Sequence, residues 1–136
     1  MKRGWFPVRR SILNDPHWLE RPVTRGQAKL DLAMLAEYED TEVTAQGGKK
    51  IPLHRGQLFT SIRWLARRWG WHPNAVVRFL EMLTENPEDL YAIECLPVRE
   101  SKLNPKEKPR ACGTKITFIN YERLHDTGFN LPEDMK

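Results

Sequence analysis

Asn74, Val77 and Arg78 stand at i, i+3 and i+4 of the run N-A-V-V-R, so a helix would carry all three on one face. Their types suit the edges of bases in a DNA major groove. Asparagine pairs bidentately with adenine and arginine with guanine, each discriminating by about 1–3 kcal/mol, and valine can meet a thymine methyl. The plainer alternative is that Asn74 and Arg78 are solvated polar residues. Arg63, Arg67 and Arg68 lie one element earlier, where phosphate contact competes with a salt bridge to Glu81 or Glu85. Lys102, Lys106, Lys108 and Arg110 lie in a later loop that either reaches the backbone or adjacent minor groove of a duplex or only solubilises the chain.

The stretch from Thr60 to Leu83 has to position the first of these groups. Thr60 or Ser61 can cap a helix by accepting a hydrogen bond from a free first-turn N–H. Ile62, Leu65, Ala66 and Trp69 then follow at helical spacing. Gly70 stops that helix, because glycine takes the left-handed C′ conformation without Cβ strain. Pro73 opens a second helix, where its fixed φ fits and its missing N–H costs little. Val76, Phe79, Leu80 and Leu83 form the second apolar stripe, which leaves Asn74, Ala75, Val77 and Arg78 outward. Helix, short turn with glycine, helix is the helix-turn-helix pattern, whose first helix crosses the backbone and whose second enters the major groove.

The flanking segments supply the frame. Residues 1–23 are rich in aromatic, Pro and Arg residues and read as an ordered arm, with a short helix near 8–14 and with Trp5 and Trp18 packed on the domain. Thr24 caps a helix running to about Glu39, with Ala28, Leu32, Leu35 and Ala36 inward. Residues 42–45 and 50–53 bracket Gly47-Gly48, a hairpin signal. Pro52 must then lie on an edge. Residues 55–59 lead into the helix-turn-helix. Asn86-Pro87-Glu88-Asp89 ends its second helix. Strands are expected over 90–95 and 114–119, joined by a long basic loop over 96–113, with a closing turn near 120–124. A two-stranded hairpin with a basic loop directly after a recognition helix is a wing. Trp69 and Trp71 read as core or core-edge, while Trp64 falls off the helical stripe and is expected to be exposed.

Composition narrows the function classes. The 136 residues, 40% apolar and 29% charged, fit one soluble globular unit. No run approaches the ~18 apolar residues of a membrane span, and the basic N-terminus lacks the apolar stretch of a secretory signal. A cytoplasmic protein is the expectation. The net charge of +4 is concentrated: residues 1–25 and 97–115 each hold six basic against two acidic residues. Such segments favour a polyanion partner or form a solvated face. Cys95 and Cys112, with His17, His54, His72 and His125, form no metal pattern. Both thiols are expected reduced, although their places near the ends of a hairpin leave a disulfide open. Gly47-Gly48 is no phosphate loop, since no Gly-Lys-Ser/Thr follows, and no nucleophile pairs with a base and an orienting group. A non-catalytic protein without metal or cofactor is expected.

The strings TRGQAKLDLAMLAEYED, IPLHRGQLFTSIRWLARRWGW, VVRFLEML and ITFINYERL follow one another in that order, after GWFPVRRSILNDPHW. Together they resemble the winged-helix N-terminal domain of phage and prophage replication proteins of the DnaD-like class, over roughly residues 4–124. The block from Arg55 to Trp71 is the most specific part. The resemblance implies a winged-helix fold, with DNA binding assigned to the helix from Pro73 and to the wing. Lys29, where the family tends to an aromatic residue, the Asn86-Pro87-Glu88 turn and the long wing depart from its pattern. The oligomerisation domain of that class is not expected here. The expectation is therefore DNA binding in replication initiation or transcriptional regulation, rather than replication loading.

The reading is of an α+β winged helix-turn-helix: a three-helix core, a β-hairpin wing and a small additional hairpin. Residues 1–125 form one domain with its N-terminal arm and 126–136 a tail. Double-stranded DNA is the expected partner, with a protein partner or homodimer possible beside it, and with neither membrane nor small-molecule substrate. The rival reading is a protein–protein interaction adaptor, for which Trp64 and the acidic 37–42 segment would form the surface. Single-stranded nucleic acid would need exposed aromatic platforms, and Trp64 alone is thin support.

Overall fold

A computed structural model describes residues 7–99 and 111–125. Lys102, Lys106, Lys108 and Arg110, together with Trp5 and the 126–136 tail, lie outside the described residues. The molecule is mixed α+β. A 3-10 turn at Arg10–Asn14 precedes α1 (Arg25–Leu35), the hairpin strands β1 (Thr41–Thr44) and β2 (Lys50–Leu53), and β3 (Gln57–Thr60). Then come α2 (Ile62–Trp69), α3 (Pro73–Thr84), β4 (Ile93–Arg99), β5 (Ala111–Phe118) and α4 (Tyr121–His125). Among the described residues, no helix is long and apolar enough to cross a membrane.

Two antiparallel sheets result. β1 pairs only with β2, Val43 opposite Ile51, so Pro52 sits opposite Glu42 on a two-stranded ribbon that tolerates it. The second sheet has the order β3-β5-β4. Leu58 and Cys95 both face Ile116 in its register, and the inner face, with Ile93, Ile116 and Phe118, closes over the helices. The main core joins this face to Leu32 of α1, Leu65 and Trp69 of α2, and Val76, Phe79, Leu80 and Leu83 of α3. A satellite cluster of Ala45, Ile51 and Leu53 packs against Phe59 and Val98, which holds the small hairpin against the sheet.

The elements depart from expectation where long-range bonds decide their ends. α1 stops four residues before Glu39 because Ala36 turns extended and the chain is drawn across to β3: Glu37 N–H donates to Gln57 O at 2.9 Å and Gly56 N–H to Glu37 O at 2.7 Å. β3 itself was expected only as a lead-in. Gly56 allows this crossing, since its φ is +87° and a Cβ there would meet Tyr121 Cγ at 2.8 Å. β4 and β5 both extend beyond the expected strands 90–95 and 114–119, toward residues 100–110. Asp89 claims Tyr91 N–H on its side chain at 2.8 Å, and Asn120 Nδ2 donates to Pro87 O and Asp89 O at 2.8 Å each, so β4 starts only at Ile93. The register also sets the cysteines apart. Cys95 is opposite Ile116, four residues from Cys112 along β5, a span of about 13 Å at strand rise and beyond disulfide reach. Cys95 is a free thiol.

Candidate nucleic-acid interface

The order of α2, turn and α3 follows from local chemistry. Ser61 Oγ accepts from Trp64 N–H at 3.1 Å and so is the cap of α2. Gly70 takes the left-handed conformation at φ +72°, which glycine adopts without Cβ strain. Pro73 occupies the first turn of α3, and His72 Nδ1 accepts from Asn74 N–H at 3.1 Å. An aromatic cluster then fixes the angle between the helices. Phe79 stands edge-on to Trp69 at 5.7 Å and to Trp71 at 5.3 Å, and Trp71 Nε1 donates to Val23 O at 2.9 Å. Edge-to-face pairs of this kind contribute about 0.5–1.5 kcal/mol each beyond area burial.

With Val76, Phe79, Leu80 and Leu83 buried, α3 turns Asn74, Val77 and Arg78 to solvent, Val77 at 37% exposure. The three side chains share one face, as their spacing requires, and Glu81 extends that face by one turn. Ala75 is half-buried at its border. Beside this face lies a cleft of about 380 Å³ lined by Arg25, Trp71, His72, Ala75, Arg78, Phe79 and Met82. Arg25 thus joins Arg78 across a concave surface. Arg63 and Arg67 are exposed on α2. Among the described residues, none of Arg25, Arg63, Arg67 and Arg78 has an acidic partner.

Arg68 is different and leaves the phosphate-contact set. Its side chain is only 13% exposed, and its guanidinium donates from Nε to Asp31 Oδ2 at 2.7 Å and from Nη2 to Asp31 Oδ1 at 2.9 Å and Leu13 O at 3.0 Å. Trp18 Nε1 and Trp69 Nε1 donate to the same carboxylate at 2.7 and 2.9 Å. Asp31, 2% exposed, therefore ties the N-terminal arm, α1 and α2 together. Burial pushes its carboxyl up, but the hydrogen bonds from Arg68, Trp18 and Trp69 and the guanidinium charge outweigh that and hold it below 3.8. Arg10 is likewise structural: it donates to Met34 O at 3.2 Å and to Tyr121 Oη at 3.0 Å. Arg21 donates to Arg67 O at 2.6 Å, satisfying a carbonyl of the last turn of α2.

Two residues of this surface were not singled out from sequence as site residues, Arg25 and Glu81. Arg25 did carry a signal. It occupies the first turn of α1, behind the Thr24–Gln27 capping box, where the helix dipole disfavours a cation. A charge placed against local stability points to another use. Glu81 carried none, since a glutamate on an exposed helix face is ordinary.

Comparison with protein-family models, with curated proteins and with solved structures gives no match for this chain.

Proposed function

We propose that this chain is a winged helix-turn-helix protein that binds double-stranded DNA without catalysis, inserting α3 in the major groove. The observation that carries the reading is the outer face of α3. It is solvated and largely polar, Arg25 of α1 shares the adjoining cleft with Arg78, and Arg63 and Arg67 are exposed on α2; none of these arginines has an acidic partner among the described residues. The sequence of elements α1, β3, α2, α3, β4, β5 with sheet order β3-β5-β4 also supports it, because that connectivity places a β-hairpin directly after the second helix of the pair. In this reading Arg78 pairs with guanine, Asn74 with adenine, and Val77 meets a thymine methyl. Arg25, Arg63 and Arg67 fix the register on phosphates, together with Lys102, Lys106, Lys108 and Arg110 between β4 and β5.

The resemblance to phage and prophage replication proteins of the DnaD-like class suggests a cytoplasmic role in replication initiation or transcriptional regulation. The test is fluorescence anisotropy with short duplexes over a salt series. A phosphate-anchored protein loses affinity linearly in log salt, with a slope of about −0.9 per phosphate contacted. Arg78→Ala should cost about 1–3 kcal/mol on a preferred site and less on random duplex, whereas Arg67→Ala should weaken all duplexes alike and flatten the slope by roughly one. Absence of duplex binding at low salt overturns the reading.

A further inference from the structure

Trp64 marks a second surface, away from α3, which shares only Arg67 with the proposed duplex contacts. Trp64 is 41% exposed, although tryptophan is a costly residue to leave in water. It stands between two depressions. One, of about 460 Å³, is lined by Leu35, Val43, Leu53, Leu58 and Phe59 and carries Glu37. The other, of about 340 Å³, is lined by Leu19, Arg21, Arg67 and Arg68, with Trp64 as the shared wall and no carboxylate in its lining.

We propose that this Trp64-centred surface docks an acidic segment of a protein partner, seating an apolar anchor residue in the first depression and its carboxylates against Arg21 and Arg67. Four features of the surface converge on that occupant. The apolar side of the first depression accepts a leucine or phenylalanine side chain, while Glu37 in its lining repels a phosphate backbone. Arg68 is neutralised by Asp31, so the net positive charge of the second depression comes from Arg21 and Arg67. Glu37 lines the first depression and no carboxylate lines the second, so the acidic stretch of a bound segment is steered toward the arginines. The Trp64 ring is also held in advance: the Arg68 guanidinium lies 5.4 Å from its centre and is itself locked by Asp31. Pre-ordered tryptophan beside arginine is the composition of binding hot spots, because little side-chain entropy is lost on contact.

The surface is independent of α3, so its test does not depend on duplex binding. The probe is a synthetic peptide of aspartates and glutamates around a Leu-Phe pair, followed by the indole N–H resonance of Trp64, assigned with Trp64→Phe. The proposal expects a saturable shift, an affinity reduced ~10-fold by Trp64→Ala, and a clear reduction by Arg67→Glu, which leaves the ring and the Asp31 network in place. Trp64→Ala should leave duplex DNA affinity unchanged. The proposal is overturned by the lack of a saturable shift, or by equal binding of the peptide with lysines in place of its acids. It is also overturned if oligothymidylate shifts Trp64 in place of the peptide, or if the resonance moves with protein concentration alone, which would assign the face to a second copy.

Discussion

Asp31→Asn removes one charge and almost no volume, yet it should be among the most damaging single changes in this protein. The carboxylate accepts four hydrogen bonds, two from Arg68 and one each from Trp18 and Trp69. An amide keeps one oxygen. Its NH₂ group must face donors on the other side, either Arg68 Nε and Trp69 Nε1 or Arg68 Nη2 and Trp18 Nε1. The guanidinium meanwhile stays buried without a counter-ion. Removing one partner of a buried ion pair costs about 3–5 kcal/mol, against a total stability of about 5–15 kcal/mol for a domain. At a few degrees per kcal/mol for a chain of this size, the midpoint should fall by on the order of 10–15 °C. Urea and thermal unfolding followed by circular dichroism measure it. Replacing both partners, Asp31→Leu with Arg68→Met, should cost less than Asp31→Asn alone, because no charge is then stranded. The pH dependence has a definite sign. A carboxyl whose folded pKa lies below its unfolded 3.8 binds fewer protons when folded. Its contribution is complete above pH 3.8 and disappears as pH falls through the folded value. An Asp31→Asn protein within ~1 kcal/mol of wild type would refute the assignment of this carboxylate as the tie between arm, α1 and α2.

Gly70→Ala should destabilise by about 1–3 kcal/mol: φ is +72°, and the new Cβ would lie 2.7 Å from Arg21 Cβ. Chemical denaturation reads the loss directly. Burial, then the charges of Arg55 and Arg10, hold His125 below its usual 6.5. The unfolded chain therefore takes up that proton first, and stability should decline as pH drops below 6.5, with His125→Gln flattening this limb of a pH–stability curve. Arg25→Ala should leave the unfolding midpoint unchanged or slightly raised, since it removes a cation from a helix N-terminus. In a salt titration the same variant should lower the slope of duplex binding by roughly one.

What could be read from sequence divides along the range of the interactions. The boundaries of α2 and α3 were legible because Ser61, Gly70 and Pro73 act within one turn of chain. The apolar stripe of α3 was legible for the same reason, and with it the outward position of Asn74, Val77 and Arg78. The strand β3 was not, because Gln57–Thr60 acquires its partners from β5; Gln57 bonds Thr117, 60 residues on. Arg68 looked like its neighbours Arg63 and Arg67 because its carboxylate lies 37 residues earlier, at a position that helix periodicity does not mark as charged and buried. Arg25 needed the fold as well, since only the packing of α1 beside α3 brings it to the same cleft as Arg78.

The most direct test of the central claim is amide chemical-shift mapping with a short duplex at low salt, using wild-type protein. Perturbations should centre on Asn74, Val77 and Arg78 and extend to Arg25, Arg63 and Arg67, with Trp64 unmoved. A footprint that spares α3, or no footprint at any duplex concentration, would contradict it.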